Sequence, residues 1–384
     1  MIKRNFWIDQ VQKLWKQRSI IWLSGVRRVG KTVLSQSLPD VTYFDCELPR
    51  TRRLMEDPES FLSEHAGKTL VVDEIHKLLD PSQLLKIAAD HYRDTKIIAT
   101  GSSSLGASAK FKDTLTGRKL ELWLTPMISD DLIDFGMKSL KKRLLHGGLP
   151  PFFLTDKPWE KGYEEWIEAY WAKDILELFR LERRHSFVKC MELLFMQSGQ
   201  IFEASRFAVP CEISRTTVQT YLSILEATYV FHVIRPYNTH LPNEIISAPK
   251  VYAFDTGFVC HFKEWNDLRN EDLGYLWGHY ILNEMLGKLQ THSINYWRDK
   301  RGHEIDFVIR GKNEEVTAIE CKWKSNVFEP ANLKSFRAKY PRGQNYVVAS
   351  DIDKSFKKKF RDLSVKYVNL DSLIKDLVLI KSNT

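Results

Sequence analysis

Short, nearly unbroken apolar runs recur through the first third of the chain, each followed by a stretch with helical spacing. SIIWLSG, VTYFDC, TLVVDE, KIIATG and KLELWLT read as strands covered on both faces, the pattern of a parallel α/β sheet. From residue 138 the spacing turns helical, with long amphipathic stretches such as YEEWIEAYWAKDILELFRLE. After Pro249 short strands return and run to the end. No internal repeat or low-complexity linker marks a border, so the changes of pattern predict three parts. These are a parallel-sheet domain over residues 1–137, a helical and winged-helix part over 138–241, and a second α/β domain over 242–384.

Composition narrows the choice of function. The 384 residues are 43% hydrophobic and 12% aromatic, which excludes a disordered chain. No apolar run reaches the roughly 18 residues of a membrane span. The opening stretch MIKRNFWIDQVQKLWKQR lacks a signal-peptide core, so a cytoplasmic protein without a membrane partner is expected. Cys46, Cys190, Cys211, Cys260 and Cys321 are scattered without zinc spacing and read as reduced, packed thiols, the Cys260–His261 neighbours included. A formal net charge of +8 and a pI near 9.0 favour a polyanionic partner.

GVRRVGKT, residues 25–32, follows the first strand directly and fits the eight-position P-loop pattern. Gly25 and Gly30 let backbone amides converge on phosphates, with Val26, Arg27, Arg28 and Val29 forming the loop between them. Lys31 neutralises the β and γ oxygens, Thr32 can ligate magnesium, and Val33 stands beside them at the helix start. About 40 residues on, TLVVDEIHKL ends its strand in Asp73, placed for the magnesium shell, and Glu74, placed to polarise the attacking water. An acidic helix cap is the plainer reading of that pair. KIIATGSSS offers Thr100 or Ser102 to sense the γ-phosphate. Arg118 is either a finger charge for a neighbouring subunit's nucleotide, which implies a homo-oligomer, or a solvated surface arginine.

EISRTTVQTYLSILEATYVFHVIRPY predicts a helix capped at Ser214 and then a hairpin, the order of a recognition helix and wing. Arg215, Thr217 and Gln219 face outward there, either toward DNA or on a packing module.

The last part holds charges where strands should be apolar. In HEIDFVI, alternation puts Ile305, Phe307 and Ile309 on the core face and Asp306 on the other. In AIECKW, Glu320 and Lys322 project together, opposite Ile319, Cys321 and Trp323. A hairpin through RGKNEE brings Asp306 to Glu320 and Lys322, a carboxylate pair able to hold Mg²⁺ (or Mn²⁺) beside a lysine able to orient water and stabilise charge on a phosphodiester. Glu284, on the helix-patterned YLWGHYILNEMLGKLQ just upstream, is a further candidate ligand. An ordinary half-exposed hairpin has the same alternation. The basic runs KSLKKRLLHGG, RDKRGH and KSFKKKFRD suit a nucleic-acid backbone or a solvated surface.

Taken together, GVRRVGKT, DEIH, TGSS and GR resemble the motifs of the prokaryotic AAA-type P-loop ATPases that end in a PD-(D/E)XK nuclease-like domain, formerly of unknown function. HGGLPPFFL, YLSILEATYVFHVIRPY and VYAFDTGFVCHF are similar to further elements of that family, so the likeness covers the whole chain; Val26 stands where the family usually has proline. The resemblance implies an α/β ATPase that binds ATP and Mg²⁺ and acts on DNA through Asp306, Glu320, Lys322 and Glu284. An ATP-switched DNA-binding protein with a non-catalytic C-terminal fold, and an ATPase scaffold without nucleic acid, are the two rival readings.

Overall fold

The computed structural model describes residues 2–101, 113–137, 139–176, 179, 181–239 and 248–382. Each of the five N-terminal apolar runs is a strand: β1 (Ile20–Ser24), β2 (Val41–Asp45), β3 (Thr69–Asp73), β4 (Lys96–Thr100) and β5 (Lys119–Trp123). They pair in parallel in the order β2-β3-β4-β1-β5, with Ile20 level with Ile97 on one side and Lys119 on the other. Helices α1 (Asn5–Trp15), α2 (Lys31–Gln36) and α3 (Pro81–His91) flank the sheet. Asp80 caps α3 by accepting from the Gln83 amide, and Pro81 fills the first turn, where a missing N–H costs nothing. Because β4 lies between β3 and β1, Thr100 sits between Asp73 and the loop leaving β1. This mixed α/β architecture, with a parallel sheet under flanking helices, is the P-loop ATPase fold.

Helix α4 (Ser129–Asp134) follows β5, and α5 (Glu160–Tyr170) continues into a π-helical turn over Trp171–Leu176. Helix α6 (Arg215–Ala227) starts at Ser214, whose hydroxyl accepts from the Thr217 amide. A second sheet then collects β6 (Gln200–Ile201), β7 (Phe231–Pro236), β8 (Lys250–Ala253), β9 (Asn295–Arg298), β10 (Glu304–Arg310), β11 (Val316–Lys322), β12 (Asn345–Ala349), β13 (Phe356–Phe360) and β14 (Leu363–Val368). Their order is β13-β14-β12-β11-β10-β9-β7-β8-β6, so the sheet draws strands from both sides of residue 241. β7 and β8 form the antiparallel pair after α6, and β7 also runs parallel to β9.

Both faces of this sheet are covered. Helices α7 (Asn270–Leu289) and α9 (Leu370–Ser382) lie on one, and α8 (Ala331–Lys339) lies on the other. Here the expected alternation breaks: Ile305 packs with Val308 on the α8 side, whereas Phe307 packs on the α7 side. The cause is an irregularity in the pairing of β10 with β9 between Ile305 and Val308, which shifts the side-chain period by one. One apolar cluster runs from Trp7 on α1 through Ile98 on β4 and Trp166 on α5 to Trp277 on α7 and Leu377 on α9, joining both sheets and the helical part.

Candidate functional site

The loop after β1 is shaped by two glycines. Gly25 has φ +140, and a Cβ there would lie 2.4 Å from the Leu124 carbonyl oxygen, so no other residue lets the loop pass the end of β5. Gly30, at φ +101, turns the chain into α2. Val26 and Val29 are buried and pin the loop from beneath, which gives Val26 an anchoring contact in place of proline's stiffness. Lys31 Nζ donates to the carbonyls of Gly25 (2.8 Å) and Val26 (3.2 Å). Burial pushes the Lys31 pKa down, against the pull of Glu74 and Asp174.

Asp73 is 4% exposed and receives three hydroxyl groups. Thr32 Oγ1 and the Tyr43 hydroxyl donate to one oxygen at 2.7 and 2.6 Å, and Thr100 Oγ1 donates to the other. Burial and then Asp73 hold the Tyr43 hydroxyl protonated. Glu74 adopts a left-handed backbone (φ 53), its amide donates to Thr100 Oγ1, and its carboxylate lies 3.1 Å from His76 Nδ1. Burial works to raise its pKa, but His76, Lys31 and Arg27 together hold it below the ordinary value.

Gly25–Arg28, Gly30–Val33 and Glu74 line a cavity of about 380 Å³, to whose wall Phe135, Pro150, Pro151, Tyr170 and Thr228 also contribute. The helical part also grips the loop: Arg27 Nε donates to Asp174 at 2.7 Å, and Trp166 Nε1 donates to the Arg27 carbonyl. Arg28 lies 3.9 Å from Glu165. From the opposite side Arg4 donates to the Val29 carbonyl and to both oxygens of buried Asp131. Arg4, Tyr43, Trp166 and Asp174 were not visible as site residues, because none lies in a motif and each arrives from a distant segment. Arg118 makes a two-pronged pair with Asp90 of α3 at 2.8 and 3.1 Å. Ser102 lies outside the described residues.

The second group forms at one end of the C-terminal sheet. β10 and β11 pair antiparallel, with Phe307 opposite Ile319, and Asn313 and Glu314 take the positive φ that their turn needs. Lys322 Nζ donates to Glu320 Oε2 at 2.7 Å and lies 3.7 Å from Asp306 Oδ2, which also accepts the Cys321 amide at 2.8 Å. Glu320 is 3% exposed, and its Oε1 is buried without a hydrogen-bond partner. Burial first, and Asp306 second, push the Glu320 carboxyl up to about 8. Lys322 is shifted upward as well: burial lowers it, and the two carboxylates more than offset that. An orphaned buried carboxylate oxygen beside a second carboxylate fits a divalent cation. Among the described residues, however, no three His, Cys, Asp or Glu side chains gather at metal-ligating distance.

Glu284 is not part of this cluster. Trp277 of α7 meets Trp323 edge-on next to Lys322, and Glu284 lies two helical turns further on, about 10 Å along the axis. Its carboxylate accepts the amide and hydroxyl of Ser129 on α4 and lies 3.5 Å from Lys288, which also pairs with Asp130.

Residues 17–132 match a family described as an AAA domain. Residues 137–269 and 273–369 match two families each described as a domain of unknown function (DUF8612 and DUF4143). An uncharacterized protein of Mycobacterium tuberculosis is 25% identical over 323 residues, covering 80% of this chain and 71% of its own. An uncharacterized protein of Haemophilus influenzae is 21% identical, with 89% and 92% covered. A Walker-type ATPase of Pyrococcus abyssi superposes with a TM-score of 0.45 at 15% identity, over 68% of this chain and 96% of that one. No helix among the described residues is long and apolar enough to cross a membrane. With its P-loop, Asp73–Glu74 pair and five-stranded parallel sheet, the N-terminal part of the chain is an AAA-type P-loop ATPase domain.

Proposed function

We propose that the protein hydrolyses ATP in the cavity over the P-loop and cleaves DNA at the Asp306–Glu320–Lys322 cluster. Lys31 leaves its carbonyl partners to bind the β and γ oxygens, Thr32 and Asp73 hold the cation, Glu74 takes the proton of the attacking water, and Thr100 orients Asp73 and Glu74. At the second site Asp306 and Glu320 hold the cation. Lys322, kept protonated by both carboxylates, stabilises negative charge on the phosphodiester rather than acting as a base. Magnesium, when bound, neutralises phosphate charge and lowers the pKa of water at either site.

The observation that carries the nuclease half is the partnerless Oε1 of Glu320 beside Asp306 and Lys322. A cation is the partner whose arrival would satisfy it. The pairing of Lys322 with both carboxylates, and the position of Glu284 outside the cluster, favour a second reading, an ATP-switched DNA-binding protein without cleavage.

Cutting of supercoiled plasmid and labelled single-stranded DNA, with Mg²⁺ or Mn²⁺ and with or without ATP, separates the two. Parent protein is expected to cut, and Asp306→Ala to lose at least a hundredfold in rate while keeping ATP turnover. The response to ATP gives the sign of the coupling. No cutting under any condition, with DNA binding retained, selects the second reading.

A further inference from the structure

Strand β13, Phe356–Phe360, is the outer strand of the nine-stranded sheet and reads FKKKF. Lys354, Lys357, Lys358, Lys359 and Arg361 are exposed, and none forms an ion pair with a described residue. Lys357 lies directly opposite Lys366 of β14. Like charges across a strand pair are destabilising, and Asp376 neutralises only Lys366, at 2.5 Å.

Lysines on an edge strand also discourage pairing with other chains. That explanation does not cover Phe356, which is 49% exposed and stacks on Tyr367 with centroids 4.8 Å apart and planes 8° from parallel. An edge built only to repel other strands would not display an aromatic ring. Lysines on both faces of a short strand, next to a half-exposed ring braced from behind, provide the two elements that hold single strands: cations for phosphates and a platform for a base.

The register ties this edge to the charged cluster. Phe356 is level with Tyr367, Tyr367 with Val347, and Val347 with Glu320. Residues in such a row share a face, so Phe356 and Lys358 lie on the face of Glu320, while Lys357 and Lys359 lie on the other. Three strand spacings separate Phe356 from Glu320, roughly 14 Å at about 4.8 Å each. That equals about four nucleotides at the 3.4 Å rise of a stacked strand. Helix α8 covers the middle of the row, burying Val347 and Tyr367. The open route therefore runs along the sheet's end, where β11, β12 and β14 finish and β13 begins.

We propose that the β13–β14 ribbon is the entry track for single-stranded DNA, with Lys357, Lys358 and Lys359 on its phosphates and Phe356 stacked on a base, about four nucleotides from the Asp306–Glu320–Lys322 cluster. The proposal rests on reading that cluster as a DNA site.

The test is fluorescence anisotropy of a labelled oligo-dT with the full chain, in EDTA so that nothing is cut, across a salt series. Replacing Lys357, Lys358 and Lys359 by Gln together should reduce the slope of log affinity against log salt by about 2, since each phosphate contact on a single strand contributes about 0.7. Phe356→Ala should weaken binding about tenfold and leave the slope unchanged. Both variants should still unfold in a cooperative transition, the triple variant no lower than the parent because Lys357 no longer faces Lys366, and Phe356→Ala slightly lower because its stacking on Tyr367 is lost. If the triple variant does not fold, Lys358→Gln alone, on the face of Glu320, should lower the slope by about 0.7. Parental affinity and slope in every variant would overturn the track while leaving the DNA reading intact. A parent protein that binds no DNA overturns that reading and the track with it. Tighter binding of duplex DNA or of RNA of equal length overturns the commitment to single-stranded DNA.

Discussion

Glu320 is held between groups that pull its protonation in opposite directions. Burial and Asp306 favour the neutral acid and Lys322 favours the carboxylate, with the balance near pH 8. Since the ordinary value is 4.5, the folded state binds the extra proton between about pH 4.5 and 8. Stability from this group therefore falls as pH rises through that window. Glu320→Gln cannot ionise, so it should match the parent near pH 5 and be more stable at pH 9 by about 2–4 kcal/mol in thermal unfolding. Magnesium should shrink the gap at pH 9, because a cation gives the ionised carboxylate its partner. A gap of equal size at both pH values would mean that Glu320 carries its charge throughout and that the orphaned oxygen has another explanation.

Helix α7 is the element whose contacts reach furthest beyond what its sequence showed. It approaches the C-terminal cluster through Trp277, whose indole donates to the Val348 carbonyl. It also docks on the ATPase domain: Asn283 donates to the Pro126 carbonyl, Glu284 accepts from Ser129, and Gln290 exchanges hydrogen bonds with Trp123. Burial raises the Glu284 carboxyl and Lys288 opposes it. Truncation would strand the Ser129 amide, although Lys288 would keep Asp130, so Glu284→Ala should cost about 2–3 kcal/mol in stability. It should leave the magnesium dependence of any cleavage unchanged. A Glu284→Gln protein with parental stability but a tenfold weaker metal response would restore it as a ligand. The five strands of the first sheet were legible because burial on both faces leaves a continuous apolar signature. The Asp306–Glu320–Lys322 contact was legible because a hairpin's register follows from its turn. The face of Ile305 was not, because a local pairing shift leaves no trace in composition, and the direction of Glu284 was not, because helical spacing fixes a side but not the distance along the axis to a partner.

At the scale of the molecule, the nucleotide cavity, the helical part and the C-terminal sheet share one apolar core, and the P-loop is clamped from two directions. Arg4 and Asp131 hold it on the side of α4, which Glu284 joins to α7, while Asp174 and Trp166 hold it from the helical part. A ligand on the P-loop should therefore stabilise every part at once. At a hundredfold excess over its dissociation constant, a non-hydrolysable ATP analogue with magnesium contributes about 2.7 kcal/mol. For a cooperative unit of this size that corresponds to an upward shift of roughly 3 °C in one unfolding transition. Lys31→Ala should abolish the shift. Glu74→Gln should keep it and lose ATP turnover, because its role begins after binding. If tryptophan fluorescence and calorimetry instead resolve two transitions, and only the lower one moves with nucleotide, the continuous core does not couple the two sheets. Control of the C-terminal cluster by ATP would then have to pass through an oligomer or through DNA rather than through the fold.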